Sequence, residues 1–251
     1  MLKKKWSKIL LVILSFMIGI LILGGFFLKA AIHTPSAAAQ TAAATGTEIP
    51  GALKFAGDPK KPAVLFYQGA LVAKESYSLW AEKVATAGFS VYLIQEPFAL
   101  AVLAPNKAQQ ILDSEKLTSY VIGGHSLGGV MASRFAAKQS ADSGLTGVFF
   151  LASYPDQKGS LKAFKGSVLS VTASYDGVLN QKQYQEAKNY MPSQVTYQTI
   201  AGGNHAGFGS YGSQKGDHPA KIKNAKQQEQ VARILINWLN QTEDKRGTSD
   251  D

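Results

Sequence analysis

Apolar residues in this chain come in short dense runs separated by polar, glycine-containing stretches. This is the rhythm of strands buried on both faces and joined by helices. Six such runs lie at 63–67, 90–94, 119–122, 147–152, 167–173 and 195–200. Between them the period lengthens. Trp80, Val84 and Ala87 share one stripe of a helix over Tyr77–Ala87, with Glu82 and Lys83 opposite. Val231, Ile234, Leu235, Trp238 and Leu239 stack at helical spacing over Ala225–Asn240. Strands alternating with helices predict an α/β domain: a mostly parallel sheet of about six core strands with helices on both faces. The connection from Leu151 to Ser167 is too short for a lid domain. Residues 58–241 are enough for one domain around one core.

The N-terminus departs from this pattern. Ile9–Leu28 is an uncharged apolar run preceded by Lys3, Lys4, Lys5 and Lys8 and closed by Lys29. At 1.5 Å per residue such a helix spans about 30 Å, the thickness of a bilayer core. Residues 1–29 therefore read as a transmembrane signal anchor, with the leading lysines cytoplasmic and the domain extracytoplasmic. The small residues Ala37-Ala38-Ala39 leave open a cleaved signal peptide and secretion, although the apolar run is longer than such peptides use. Residues 30–57, rich in Ala, Thr, Ser and Gly, read as a flexible linker, and 242–251 as a disordered tail.

Composition changes this picture little. The net charge is +9, but removing the five lysines of the first 29 residues leaves +4 for the remainder. No basic helix interleaved with aromatics occurs, which argues against a nucleic-acid partner. Cysteine is absent, so neither disulfides nor thiolate ligands enter. No ligand cluster of metal-binding spacing and no phosphate-cradling loop is present, so neither a metal nor a cofactor is predicted.

The chemistry concentrates in Gly123-Gly124-His125-Ser126-Leu127-Gly128-Gly129, between Tyr120-Val121-Ile122 and a helical stretch. Gly124-x-Ser126-x-Gly128 between strand and helix has the form of a nucleophile elbow, a sharp turn lifting a serine hydroxyl above the sheet edge. A serine needs a base, and the chain has four histidines. His33 lies beside the polar linker. His125 adjoins the serine, where neighbouring side chains diverge. His218 lies in a longer polar loop. His205 follows the alternating run Val195–Ile200 in a glycine-rich loop that can carry an imidazole over the sheet edge. An acid should lie between serine and histidine in chain order. Asp176, in a turn after the strand 167–173, fits that place, and Asp156, one strand earlier, is its rival. Backbone N–H groups of Leu127 and of Ala70, or alternatively Leu71, after the strand 63–67 are the candidate oxyanion donors. Tyr67 and Tyr77 read as packing residues.

These motifs resemble the α/β-hydrolase superfamily and, more closely, the group termed α/β-hydrolase fold-5. The resemblance runs from about Pro62 to about Leu239. It is carried by Phe66-Tyr67-Gln68-Gly69-Ala70-Leu71-Val72, Gly123–Gly129, Leu151-Ala152-Ser153-Tyr154-Pro155 and Tyr175-Asp176-Gly177. Gly202-Gly203-Asn204-His205-Ala206-Gly207-Phe208-Gly209-Ser210-Tyr211-Gly212, continuing to Gly216-Asp217, is its most distinctive piece. Gln68 departs from the usual turn residue of that loop. The resemblance implies a minimal α/β-hydrolase fold and esterase-like serine chemistry on a small-molecule ester. An acyltransferase using the same residues, or a non-catalytic binding module, remains open at this point.

Overall fold

The computed structural model describes residues 29–247, together with positions 14, 16, 17, 19, 24, 25 and 27. The chain divides into one unit up to Ile32 and another from His33 onward. In the first, the described positions up to residue 30 are helical. The anchor expected over Ile9–Leu28 lies mostly outside the described residues. Among those described, no helix is long and apolar enough to cross a membrane.

The second unit is built on an eight-stranded sheet in the order β1-β2-β4-β3-β5-β6-β7-β8. Six strands are parallel: β3 (Ala63–Tyr67), β4 (Val91–Ile94), β5 (Tyr120–His125), β6 (Leu145–Leu151), β7 (Ser167–Ala173) and β8 (Thr196–Ile200). They are the six expected runs. Helices α2 (Ser78–Thr86), α3 (Lys107–Glu115), α4 (Leu127–Ala136), α5 (Gln181–Ala187) and α6 (Asn224–Gly247) complete the layers. Alternation along each strand feeds two cores. Val64, Phe66 and Phe149 meet Trp80 and Trp238 on one face, while Leu65, Tyr67 and Phe150 meet Ile111 and Phe135 on the other. Strands covered on both sides must be apolar at nearly every position, which is why the runs of β3 to β7 are dense, whereas the edge strand β8 alternates and exposes four of its five residues.

Three expectations are corrected. The stretch 30–57 is not a flexible linker, for it contains α1 (Ala37–Ala43), β1 (Thr47–Ile49) and β2 (Ala52–Phe55). β2 pairs antiparallel with β4, Leu53 opposite Leu93, so the sheet has eight strands rather than about six. Its alanines are structural. Ala39 and Ala42 are buried, and a small side chain with high helix propensity suits a helix held close to its neighbours. Ser36 caps α1 by accepting the Ala39 N–H at 3.2 Å, and its own N–H reaches the Ser210 carbonyl at 2.7 Å. The tail is also ordered through residue 247: α6 continues to Gly247, and the buried Thr242 hydroxyl donates to the Trp238 carbonyl. No proline or glycine interrupts the sequence before that glycine. Residues 248–251 lie outside the described residues.

Leu53 is 2 % exposed. Leu53→Ala is expected to cost about 2–5 kcal/mol in urea unfolding, whereas a loss below about 0.5 kcal/mol would return this segment to linker status.

Candidate active site

All six parallel strands leave the sheet at one edge, so the loops after β3, β5, β7 and β8 gather there. Ser126 sits where β5 turns into α4, at φ 51° and ψ −123°, a region that side chains other than glycine rarely occupy. Its N–H donates to the Leu151 carbonyl at 3.0 Å, and its carbonyl accepts the Ser153 hydroxyl at 2.6 Å. The turn closes because its neighbours lack side chains. A Cβ on Gly128 would lie 2.2 Å from the Tyr67 carbonyl oxygen, and one on Gly124 2.4 Å from the Gly128 carbonyl carbon. Leu127 opens α4, where the first N–H groups have no intrahelical acceptor.

Asp176 and His205 come from the ends of β7 and β8. Nδ1 of His205 lies 2.9 Å from Asp176 Oδ2, with side-chain exposures of 1 % and 0 %. The other oxygen, Oδ1, accepts the N–H groups of Val178 and Leu179 at 2.9 and 2.8 Å. A carboxylate so held keeps the Nδ1 proton in place and leaves Nε2 free to act as a base. That Nε2 is buried and unpartnered. His205 lines, with Ser126, a cleft of about 250 Å³ whose walls include Leu127, Val130, Tyr154 and Leu179. Oγ of Ser126 and Nε2 of His205 are not hydrogen-bonded in this arrangement. The rival acid Asp156 is committed elsewhere, to Arg134 Nε at 3.0 Å and to the Gly159 N–H at 2.9 Å.

The loop after β3 is held from behind. The Gly69 N–H donates to the Tyr77 hydroxyl at 2.9 Å, and that hydroxyl meets His125 Nδ1 at 3.0 Å. Burial, with the neighbouring His205 adding to it, keeps the His125 imidazole well below its ordinary range, and burial raises the Tyr77 phenol well above its own. Both groups are therefore neutral, and the Tyr77 hydroxyl links the Gly69 N–H to the His125 ring. Tyr77 is thus more than packing. The His125 ring lies 4.5 Å from that of His205, centroid to centroid, tilted at 45° to it. Of the two donors left open in this loop, the Leu71 N–H is taken by the Ala99 carbonyl at 2.8 Å. Ala70, exposed at the loop tip, is the remaining candidate.

A model of the alpha/beta hydrolase family matches residues 63–229, about two thirds of the sequence, and the match includes every candidate residue above. The chain belongs to the alpha/beta hydrolase family. No curated protein is similar enough in sequence to count as a relative. Solved structures share its fold. A monoacylglycerol lipase from Paleococcus ferrophilus superposes with TM-score 0.56 at 15% identity, covering 78% of this chain and 100% of its own. The esterase domain of a Rhodothermus marinus protein gives 0.55 at 11%, covering 74% and 90%. MGS-MChE2, an alpha/beta hydrolase enzyme from the metagenome of Moroccan lagoon sediments, gives 0.56 at 11%, covering 79% and 99%.

Within this alpha/beta hydrolase the acid and base loops are joined by a residue that motif reading passed over. Oδ1 of Asp217 accepts the N–H groups of Gly177 at 3.1 Å, His205 at 3.2 Å and His218 at 3.0 Å, and Oδ2 accepts that of Ala206 at 2.8 Å. One carboxylate thereby fastens the turn after Asp176 to the turn of His205. From α6, Gln227 brackets Asn204, accepting its N–H at 3.0 Å and donating to its carbonyl at 2.8 Å. His218 contributes only backbone: its carbonyl accepts from Asn204 Nδ2 at 2.8 Å. The sole sequence signal for Asp217 is its place at the end of the distinctive glycine-rich stretch.

Glu96 is buried without an ion-pair partner among the described residues, and burial raises its pKa well above the ordinary 4.5, against a smaller opposing pull from the backbone of Glu96 and Gln68. The folded protein thus keeps a proton that the unfolded chain releases above that value. Its contribution is full below about pH 4.5 and is lost as pH rises toward the folded pKa. Glu96→Gln should stabilise the protein by a margin that grows as pH rises above about 4.5 toward the folded pKa, by at most about 1.4 kcal/mol per pH unit. Urea midpoints across that range would reveal a constant margin if the carboxyl were ionised. Asp217→Asn, with one acceptor fewer for buried N–H groups, should cost about 1–3 kcal/mol and speed amide exchange at Ala206.

Proposed function

We propose that this alpha/beta hydrolase is a serine carboxylic-ester hydrolase, held at a membrane by its N-terminal segment with the catalytic domain extracytoplasmic. The single observation that carries the chemistry is the buried Asp176–His205 pair, whose histidine lines the same cleft as Ser126. His205 Nε2 takes the Ser126 proton as Oγ attacks the ester carbonyl, and Asp176 stabilises the imidazolium that forms. The N–H groups of Ala70 and Leu127 hold the tetrahedral oxyanion, and His205 returns the proton to the departing alcohol. A water then gives its proton to the same imidazole and attacks the acyl-enzyme. The carboxylic acid leaves as the Ser126 hydroxyl is restored.

The cleft supports small or flexible esters. Its volume is modest, its walls mix apolar side chains with polar ones such as Ser153 and Asn180, and only the short segment 152–166 joins β6 to β7. The anchor and orientation rest on the sequence, on the lysines before Ile9–Leu28 and the length of that run.

A fluorophosphonate probe should label the full chain and leave Ser126→Ala unlabelled, while turnover of short p-nitrophenyl esters falls by about 10³-fold or more in the variant. Equal labelling of both proteins would falsify the assignment of Ser126. Membranes washed in alkaline carbonate should retain the chain, and its release would point to a cleaved or peripheral form.

A further inference from the structure

From Pro97 to Pro105 the chain carries no polar side chain. This segment follows β4, so it leaves the sheet at the same edge as the loops of Ser126, Asp176 and His205. Two 3-10 turns, Pro97–Ala99 and Ala101–Leu103, shape it. Ala101 is buried in the cluster that contains Met131 and Ala132 of α4, behind the serine turn. Three larger side chains face solvent instead: Phe98 is 42 % exposed, Val102 45 % and Leu103 54 %. Phe98 and Ala99 both lie at positive φ, 52° and 54°, backbone that non-glycine residues rarely adopt. Three large apolar side chains exposed within six residues of one apolar segment suit a surface that meets another apolar phase.

The N-terminal chain enters the domain beside this rim. The His33 N–H donates to the Leu71 carbonyl at 2.7 Å, and the Ala73 N–H donates to the His33 carbonyl at 3.1 Å. Leu71 in turn donates to Ala99 of the rim. The apolar run read as an anchor ends at Leu28. Five residues reach at most about 18 Å even when fully extended. On the anchor reading, that reach bounds the distance from the end of the apolar run to His33, whose backbone is bonded to Leu71.

We propose that the rim formed by Phe98, Val102 and Leu103 docks on the phospholipid bilayer, so that the Ser126 cleft receives esters from the membrane. The proposal rests on the anchor reading of the preceding section. The rim is already exposed, so docking needs no lid to open, and the apolar side chains enter the interface as those of a membrane-surface segment do.

The natural chain contains no cysteine, so single nitroxide-labelled cysteines report depth cleanly. Full-length Leu103→Cys and Lys60→Cys, the latter before β3 at the opposite sheet edge, are placed in phosphatidylcholine–phosphatidylglycerol vesicles. The label at 103 is expected to be severalfold more accessible to oxygen, and severalfold less to a water-soluble nickel chelate, than the label at 60. Equal nickel access at both positions, in protein that survives an alkaline wash of the vesicles, overturns docking and leaves the anchor standing. Protein that washes off overturns both. Label-to-label broadening at 103 that persists on lipid dilution gives the rim to a second copy and also overturns the proposal. A Phe98→Ser/Leu103→Ser chain should lose severalfold in turnover of a bilayer-dissolved long-chain p-nitrophenyl ester, with aqueous p-nitrophenyl acetate unchanged. Equal losses on both substrates count against docking.

Discussion

The buried contact between Asp176 and His205 is the constraint around which this end of the sheet is arranged. A carboxylate with 0 % side-chain exposure beside an imidazole with 1 % holds only where hydrogen bonds replace lost water. Two N–H groups after Asp176 supply part of that replacement. The remainder is geometric: two loops from neighbouring strands must keep register to within a few tenths of an ångström. Asp217 and Gln227 provide it by gripping backbone, so the imidazole direction follows from the loop framework rather than from its own χ angles.

Much of this was legible in the residues. Parallel strands with both faces covered declare themselves as dense apolar runs, the edge strand β8 as an alternating one, and all six parallel strands were read close to their true limits. The serine turn was legible because steric demand at Gly124 and Gly128 leaves a compositional trace. Asp176 and His205 were legible from chain order, each just past a strand.

What escaped reading has physical reasons. β1 and β2 are three and four residues long, too short for a period to emerge, and α1 packs through alanines that resemble linker composition. Tyr77 looked like packing because its ring does pack, against Phe66 at 4.7 Å between centroids; its hydroxyl's engagement depends on a residue 48 positions away. Asp217 binds only main chain, an interaction that leaves no partner to find in the sequence. The apolar rim has neither a helical nor a strand period, so nothing in the pattern distinguished it from buried connection.

The pairing of β2 with β4 bears on how the protein is handled as well as how it is built. A fragment trimmed to begin at residue 58, where composition suggests a boundary, would strip the cover from one side of β4. Its bare N–H and C=O groups, flanked by the hollows that Leu53 and Phe55 had filled, would offer other chains a template for lateral association. Poor solubility of such a fragment would then be a property of the cut, with no bearing on the intact molecule.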